Sequence, residues 1–222
     1  MAHNNHNATE LRRLICEIGR RLYDKACISG TGGNISARLG GRSVLITPSQ
    51  RNKGFLSPDD MAVIDMEECD SADEGAASSE KLVHLHFYRY MPRVGAVIHA
   101  HPPAATAFAM AGQDIDCSCS PETMVFLGDR VPLVPYETPS TQALSDNFTP
   151  FLNPRTRAYL MQNHGVVTIG DNLEKAFNNL ETLELYARTL IYAGLIGSAR
   201  PIAPEKIEHL KKIFNPGDYG DS

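Results

Sequence analysis

Apolar residues recur at helical spacing near the start of the chain. Leu11, Leu14, Ile15, Ile18 and Leu22 form one stripe, with arginines on the opposite face, and predict a helix over 9–27. Asn7 or Thr9 is its expected N-cap. Ser29-Gly30-Thr31-Gly32-Gly33 breaks the pattern, and short apolar runs at 34–38 and 43–47 flank Gly40-Gly41, the arrangement of a hairpin. Ser57-Pro58-Asp59-Asp60 predicts a helical turn leading into a strand at 61–65, and 67–77 reads as an acidic, flexible loop. Helical spacing returns over 79–90 and stops before Pro92. A strand at 94–98, a helix at 102–112 opened by Pro102-Pro103, and short strands near 115–119 and 131–135 follow. A helix near 141–152 is closed by Asn153-Pro154, and strands at 158–161 and 166–169 flank His164. The last elements are a long amphipathic helix from Asn172 to about Ile196 and a final helix near 204–214. Short strands, an early hairpin and flanking helices predict one α/β domain over 1–222 with a largely antiparallel central sheet. Residues 1–8 and 215–222 are expected to be flexible ends.

Composition narrows the function classes. The formal net charge of -5 gives no basic surface for nucleic acid or an anionic membrane. No run approaches the roughly 18 apolar residues of a membrane span, and residues 1–7 lack the apolar stretch of a secretory leader. Five scattered cysteines, an odd number, predict reduced thiols in a cytoplasmic protein.

The chemistry concentrates in a few places. Ala96-Val97-Ile98-His99-Ala100-His101-Pro102 ends an apolar strand in His-x-His, and side chains two apart on a strand share a face. His164, in Met161-Gln162-Asn163-His164-Gly165, ends a second apolar run and makes a third candidate ligand. Three imidazoles on rigid strands match the ligand set of a catalytic zinc site that keeps a position open. Gly30, Gly32 and Gly33 let backbone N–H groups turn toward an anion. Asn34, Ser49, Ser78 and Ser79 are short donors suited to phosphate oxygens without a formal positive charge, and the serine pair precedes a predicted helix whose N-terminus adds to the site. Glu80 falls in that helix's first turn. His84 and His86 form a second His-x-His, but residues two apart on a helix diverge by about 200°, so they cannot share a metal. His84 lies one turn after Glu80, as a packing residue or a partner of it.

Gly30-Thr31-Gly32-Gly33-Asn34-Ile35-Ser36, Ile46-Thr47-Pro48-Ser49, Ser78-Ser79-Glu80 and the three histidines, in this order, resemble the class II aldolase/adducin family over nearly the whole chain. The resemblance implies a three-layer α/β/α domain and a zinc ion on His99, His101 and His164, with Glu80 as a resting-state ligand. It implies Glu80 as general acid/base and a phosphate pocket of Gly33, Asn34, Ser49, Gln50, Ser78 and Ser79. The tail around Tyr219 resembles a segment that, in aldolase members, sends a tyrosine into a neighbouring subunit's site, which implies a homotetramer and a catalytic role for Tyr219. Two positions depart from the pattern. Gln50 stands where glycine is usual, and Thr123 falls near an aldehyde-side tyrosine.

Glutamate at 80 matches aldolase members; epimerases of the family carry aspartate there, and its dehydratases commonly lack the carboxylate. The expected activity is reversible cleavage of a ketose 1-phosphate to dihydroxyacetone phosphate and an aldehyde. A related decarboxylase, epimerase or dehydratase is the first alternative. A non-catalytic scaffold like the adducin head is the second, disfavoured by the complete histidine set with Glu80.

Overall fold

A computed structural model describes residues 8–67 and 76–214. Helix α1 (Ala8–Asp24) buries Leu11, Ile15, Ile18 and Leu22, the stripe expected from spacing, and ends before Ala26, which takes a left-handed φ of 55°. Strands β1 (Asn34–Gly40) and β2 (Ser43–Ile46) form the hairpin around Gly40-Gly41, both at positive φ. Strand β3 (Ala62–Asp65) pairs antiparallel with β2. Helix α2 (Lys81–Tyr90) precedes β4 (Ala96–Ala100), which is buried throughout, and α3 (Pro103–Met110) follows with proline in its first turn. The pair β5 (Ile115–Asp116) and β6 (Arg130–Val131) brackets α4 (Pro121–Leu127), after which come β7 (Leu133–Val134) and α5 (Gln142–Asp146). Strands β8 (Ala158–Met161) and β9 (Gly165–Gly170) form a second hairpin, followed by α6 (Leu173–Ile196) and α7 (Pro204–Phe214).

The main sheet has seven strands in the order β3-β2-β1-β4-β9-β8-β7. Only β7 and β8 pair in parallel, so the sheet is largely antiparallel, as expected. Alternation along each strand splits the core into two layers. Ile35, Leu45, Ile98, Leu160 and Val166 pack with α1, α3, α4 and α6, whereas Val44, Ile46, Val97, Tyr159 and Val167 pack with α2 and α5. Helices therefore cover both faces of one sheet.

Three local expectations need correction. Residues 121–127 form a helix where only a connection was expected: the Ser120 hydroxyl accepts the Thr123 N–H and Pro121 fills the first helical position. The single helix expected over 141–152 is a short α5 followed by a 3-10 turn at Thr149–Phe151, because Pro150 cannot continue the α-helical ladder. Residues 117–119 are a 3-10 turn rather than strand, nucleated by the Asp116 side chain accepting Ser118 N–H. The acidic loop lies outside the described residues from 68 to 75, as do Cys69 and both ends, 1–7 and 215–222.

Candidate metal centre and active site

The three histidines converge although two come from one strand end and the third from a distant turn. β4 extends two residues further than expected, so His99 lies inside the strand and His101 immediately beyond it. β4 is hydrogen-bonded to β9, with Ala100 opposite Val166, and the tight turn joining β8 to β9 carries His164. Asn163 adopts a left-handed φ of 56° in that turn, and His164 N–H closes it on Met161 O at 3.0 Å. The ring centroids of His99, His101 and His164 lie 4.7–5.5 Å apart. Gly165 permits this approach: a Cβ there would sit 2.5 Å from His101 Cδ2 and 2.6 Å from Ala100 O.

Hydrogen bonding sets the protonation of the rings. His99 Nδ1 lies 2.9 Å from the Val166 carbonyl, which only accepts, so Nδ1 carries the proton and Nε2 presents a lone pair. Burial lowers His101 to about 3 and His164 to about 4, so both are neutral near pH 7.

Glu80 stands at the N-cap of α2 rather than inside its first turn, and its side chain caps nothing. The carboxylate instead faces the histidines, Oε2 3.2 Å from His99 Nε2 and Oε1 3.3 Å from His164 Nε2. Burial pushes this carboxyl up, but positive charge at the His99 and His164 positions and the Asn34 amide act more strongly downward, leaving it at about 2; with the rings neutral, a bound cation supplies that charge.

The donor set fits a divalent metal ion. Among the described residues Glu80 Oε1, His99 Nε2 and His164 Nδ1 are buried without a hydrogen-bond partner. His99 Nε2, 3.2 Å from a carboxylate oxygen, needs a proton or a metal ion between the two atoms. Ligand-capable atoms of the three rings lie within 4.8 Å of one another. Small ring rotations close that spacing onto one ion with bonds of ~2.0–2.1 Å. His99, His101 and His164 supply three nitrogens and Glu80 an oxygen, a borderline-soft set suited to zinc among divalent ions.

The segments expected to hold phosphate gather beside this centre. Gly33 has a φ of 71° and packs under β4, where a Cβ would meet His99 O at 2.9 Å. Pro48 bridges Ala77, Ser49 N–H donates to Ala76 O and Ser78 N–H to Thr47 O, which seats the Ser49 and Ser78 segments side by side. Ser78 is buried and its hydroxyl accepts Glu80 N–H, whereas Ser79 is exposed. Gln50 is exposed with a φ of 54°, a left-handed backbone that strains any side chain and that glycine adopts freely. Asn34 gives its amide to Glu80 Oε2 at 2.8 Å and its carbonyl to His84, so this side chain is engaged at both ends. Thr123 is buried on α4, and Tyr219 lies outside the described residues.

Two contributors, Lys53 and Glu184, escaped sequence reasoning, and a third, His84, had two readings open. Lys53, flanked by Asn52 and Gly54, reads as a surface turn, yet it is 2% exposed and its ammonium donates to Thr31 O at 2.7 Å in the glycine loop. Gly19 of α1 makes room for it, since a Cβ there would meet Lys53 O at 2.3 Å. Burial lowers this amine to about 8, with Glu80 acting the other way. A cation therefore underlies the glycine loop, contrary to the expectation of neutral donors alone. Glu184 of α6 reaches the start of α3, accepting Ala104 N–H at 2.9 Å and Ala105 N–H at 3.0 Å, and it replaces the cap that Pro102 cannot supply. It thereby fixes the helix that leaves His101. His84 is fully buried and is a partner of the Glu80 cluster rather than mere packing. His86 points elsewhere, to Thr149, as divergence on the helix requires.

Comparison with known proteins agrees with this geometry. Residues 13–191 match the model of the Class II Aldolase and Adducin N-terminal domain. The chain is 30% identical over 205 residues, 91% of its length and 94% of the relative's, to a 5-deoxy-D-ribulose 1-phosphate aldolase of Bacillus thuringiensis serovar kurstaki. It is 32% identical over 188 residues, 83% of its length and 87% of the relative's, to a 3-oxo-tetronate 4-phosphate decarboxylase of Escherichia coli strain K12. Among solved structures, an L-fuculose 1-phosphate aldolase superposes with a TM-score of 0.84 at 27% identity, covering 96% of this chain and 98% of that one. By this match and these relatives, the chain belongs to the class II aldolase/adducin family.

Proposed function

We propose that this chain is a zinc-dependent aldolase that reversibly cleaves a ketose 1-phosphate to dihydroxyacetone phosphate and an aldehyde. The observation that carries the reading is Glu80: a buried carboxylate with one oxygen clamped by Asn34 and the other unpartnered, against three convergent imidazoles. When bound, the metal supplies a Lewis acid for the substrate oxygens on which negative charge develops. In cleavage the C3–C4 bond breaks, the C4 hydroxyl loses its proton to give the aldehyde, and the electron pair remains at C3 as an enediolate. Glu80 Oε1, after taking up a proton from solvent, then delivers it to C3; in condensation it removes that proton and returns it to solvent. Tyr219, from an adjacent subunit, handles the proton at the aldehyde oxygen. Backbone N–H groups around Gly33, together with Asn34, Ser49, Gln50, Ser78 and Ser79, hold the phosphate. No lysine Schiff base is required.

The subunit arrangement proposed is a homotetramer, supported by exposed Leu185, Tyr192, Leu195 and Ile196 along α6. A cytoplasmic location follows from the odd, scattered cysteines, and among the described residues no helix is long and apolar enough to cross a membrane. The decarboxylase named among the relatives favours a second reading, loss of carbon dioxide from a 3-oxo acid phosphate through the same kind of enolate.

Product analysis separates the two. Zinc-loaded protein is incubated with a panel of ketose 1-phosphates and, separately, with 3-oxo-tetronate 4-phosphate. Dihydroxyacetone phosphate and an aldehyde from the former is the expected result; carbon dioxide from the latter, with the ketoses untouched, overturns the aldolase reading.

A further inference from the structure

A continuous hydrogen-bonded chain runs behind Glu80 through the core between the sheet and α2. Ser36 Oγ lies 2.8 Å from the Tyr88 hydroxyl and 2.6 Å from His84 Nδ1; His84 Nε2 meets Asn34 Oδ1; Asn34 Nδ2 reaches Glu80 Oε2 at 2.8 Å. All four residues behind the carboxylate are buried. The register produces this order: Asn34 and Ser36 sit two apart on β1 and face α2, where His84 and Tyr88 sit one turn apart.

The direction of every proton in the chain follows from one fixed end. Glu80 Oε2 accepts the Asn34 amide N–H at 2.8 Å whether or not Oε1 carries a proton, so the Asn34 carbonyl faces His84. The His84 Nε2 atom must then carry a proton. Full burial keeps this imidazole neutral, lowering it to about 3, so Nδ1 is bare and accepts from the Ser36 hydroxyl. Ser36 in turn accepts from Tyr88, whose burial keeps it protonated. Four groups therefore align their donors toward a single oxygen, Oε2, and polarise one another along the way. Oε1 receives nothing from this chain.

We infer that His84 is a positioning residue for proton transfer: through Asn34 it locks Glu80 Oε2 as the anchored oxygen and leaves Oε1 as the one that exchanges a proton with substrate. The hydrogen bonds of His84 go to Ser36 and Asn34 and not to Glu80 or the three histidines, so its effect runs through the amide it orients. The opposite tautomer, with Nδ1 protonated and Nε2 bare, would reverse the chain and turn the Asn34 carbonyl onto a carboxylate. This inference rests on the proton-transfer role given to Glu80 above.

The test exploits side-chain reach. His84→Gln places an N–H where Nε2 stands and can still donate to Asn34, whereas His84→Asn reaches only toward Ser36. The probe is dihydroxyacetone phosphate in deuterated water, with solvent exchange at its prochiral carbon followed by proton NMR on zinc-loaded protein. Expected is an exchange kcat about tenfold or more below wild type for His84→Asn and His84→Leu. His84→Gln recovers it to within about threefold, and KM and bound metal stay within about twofold throughout. Gln and Asn variants of equal activity overturn the inference, because a packing role does not distinguish them in this way. A second readout needs no activity: ¹⁵N NMR of the imidazole at pH 7 should show His84 with Nε2 protonated, and a bare Nε2 in the Nδ1–H tautomer overturns the inference. Glu80→Gln separates the two readings. If it exchanges at the wild-type rate, the catalytic role of Glu80 fails; if it is inactive while the His84 variants match wild type, only the positioning inference fails. Should wild type exchange nothing, the aldolase reading falls and the tautomer decides this one.

Discussion

Gly165→Ala should weaken metal binding without removing a ligand. The new Cβ would lie 2.5 Å from His101 Cδ2 and 2.6 Å from the Ala100 carbonyl, where ordinary contacts begin near 3.4 Å. Ala100 belongs to β4, which is paired with β1 on one side and β9 on the other, so its backbone cannot yield. The His101 ring must move instead, by about 1 Å, far outside the ~0.2 Å tolerance of a metal–nitrogen bond. Loss of zinc affinity by roughly 10- to 100-fold follows, of the order seen when the support of a ligand is disturbed. Overpacking adds a stability cost of about 1–3 kcal/mol, a fall in Tm of roughly 3–10 °C for a chain of this size. Competition with a chromophoric chelator measures the affinity, and thermal unfolding of the metal-free protein measures the second effect. Gly194→Ala is the control: nothing lies within 4 Å of its Cβ and it sits inside α6, so helix propensity should leave stability equal or up to about 1 kcal/mol higher. Gly165→Ala protein with wild-type affinity and Tm would refute the argument that this glycine exists to admit His101.

Glu80→Gln should keep fold and metal while losing proton exchange on dihydroxyacetone phosphate, read by NMR and elemental analysis. Glu184→Ala strands the N–H groups of Ala104 and Ala105 and should lower stability by about 2–3 kcal/mol, visible as a Tm fall of roughly 5–10 °C. Lys53→Met removes the cation beneath the glycine loop; KM for phosphorylated substrate should rise about tenfold with kcat little changed. His84 is a base whose folded pKa, about 3, lies below its ordinary 6.5, so the unfolded chain binds more protons between those values. Stability should therefore fall as pH drops from about 6.5 toward 3, by at most several kcal/mol from this group, and denaturant titrations of His84→Gln should show a shallower fall.

The fold was largely legible because most elements carry a clear apolar period and the breaks fall at glycine or proline. Misses came where local sequence is ambiguous. At 117–127 two cysteines and a short apolar run look extended, and only Ser120-Pro121 marks the helix start. Over 141–152 the apolar spacing is that of one helix, and Pro150 divides it into α5 and a 3-10 turn. At the site, the three histidines were legible as strand-end residues, since adjacency in the sheet brings strand ends together. Lys53 and Glu184 were not, because they act on residues 22 and 80 positions away, and for His84 the choice between packing and partnership turned on Asn34, 50 positions away. A histidine on a helix or a lysine in a turn carries no local sign of which distant backbone or amide it will meet. Gln50 shows the converse: the departure from glycine was visible in sequence, but its strained backbone was visible only in the fold.

X-ray absorption at the edge of the metal bound to purified wild-type protein tests the central claim most directly. The account predicts one zinc per chain with a scattering shell of three imidazole nitrogens at ~2.0–2.1 Å. A stoichiometric metal without imidazole scattering, or a shell unchanged in His99→Ala, would contradict it.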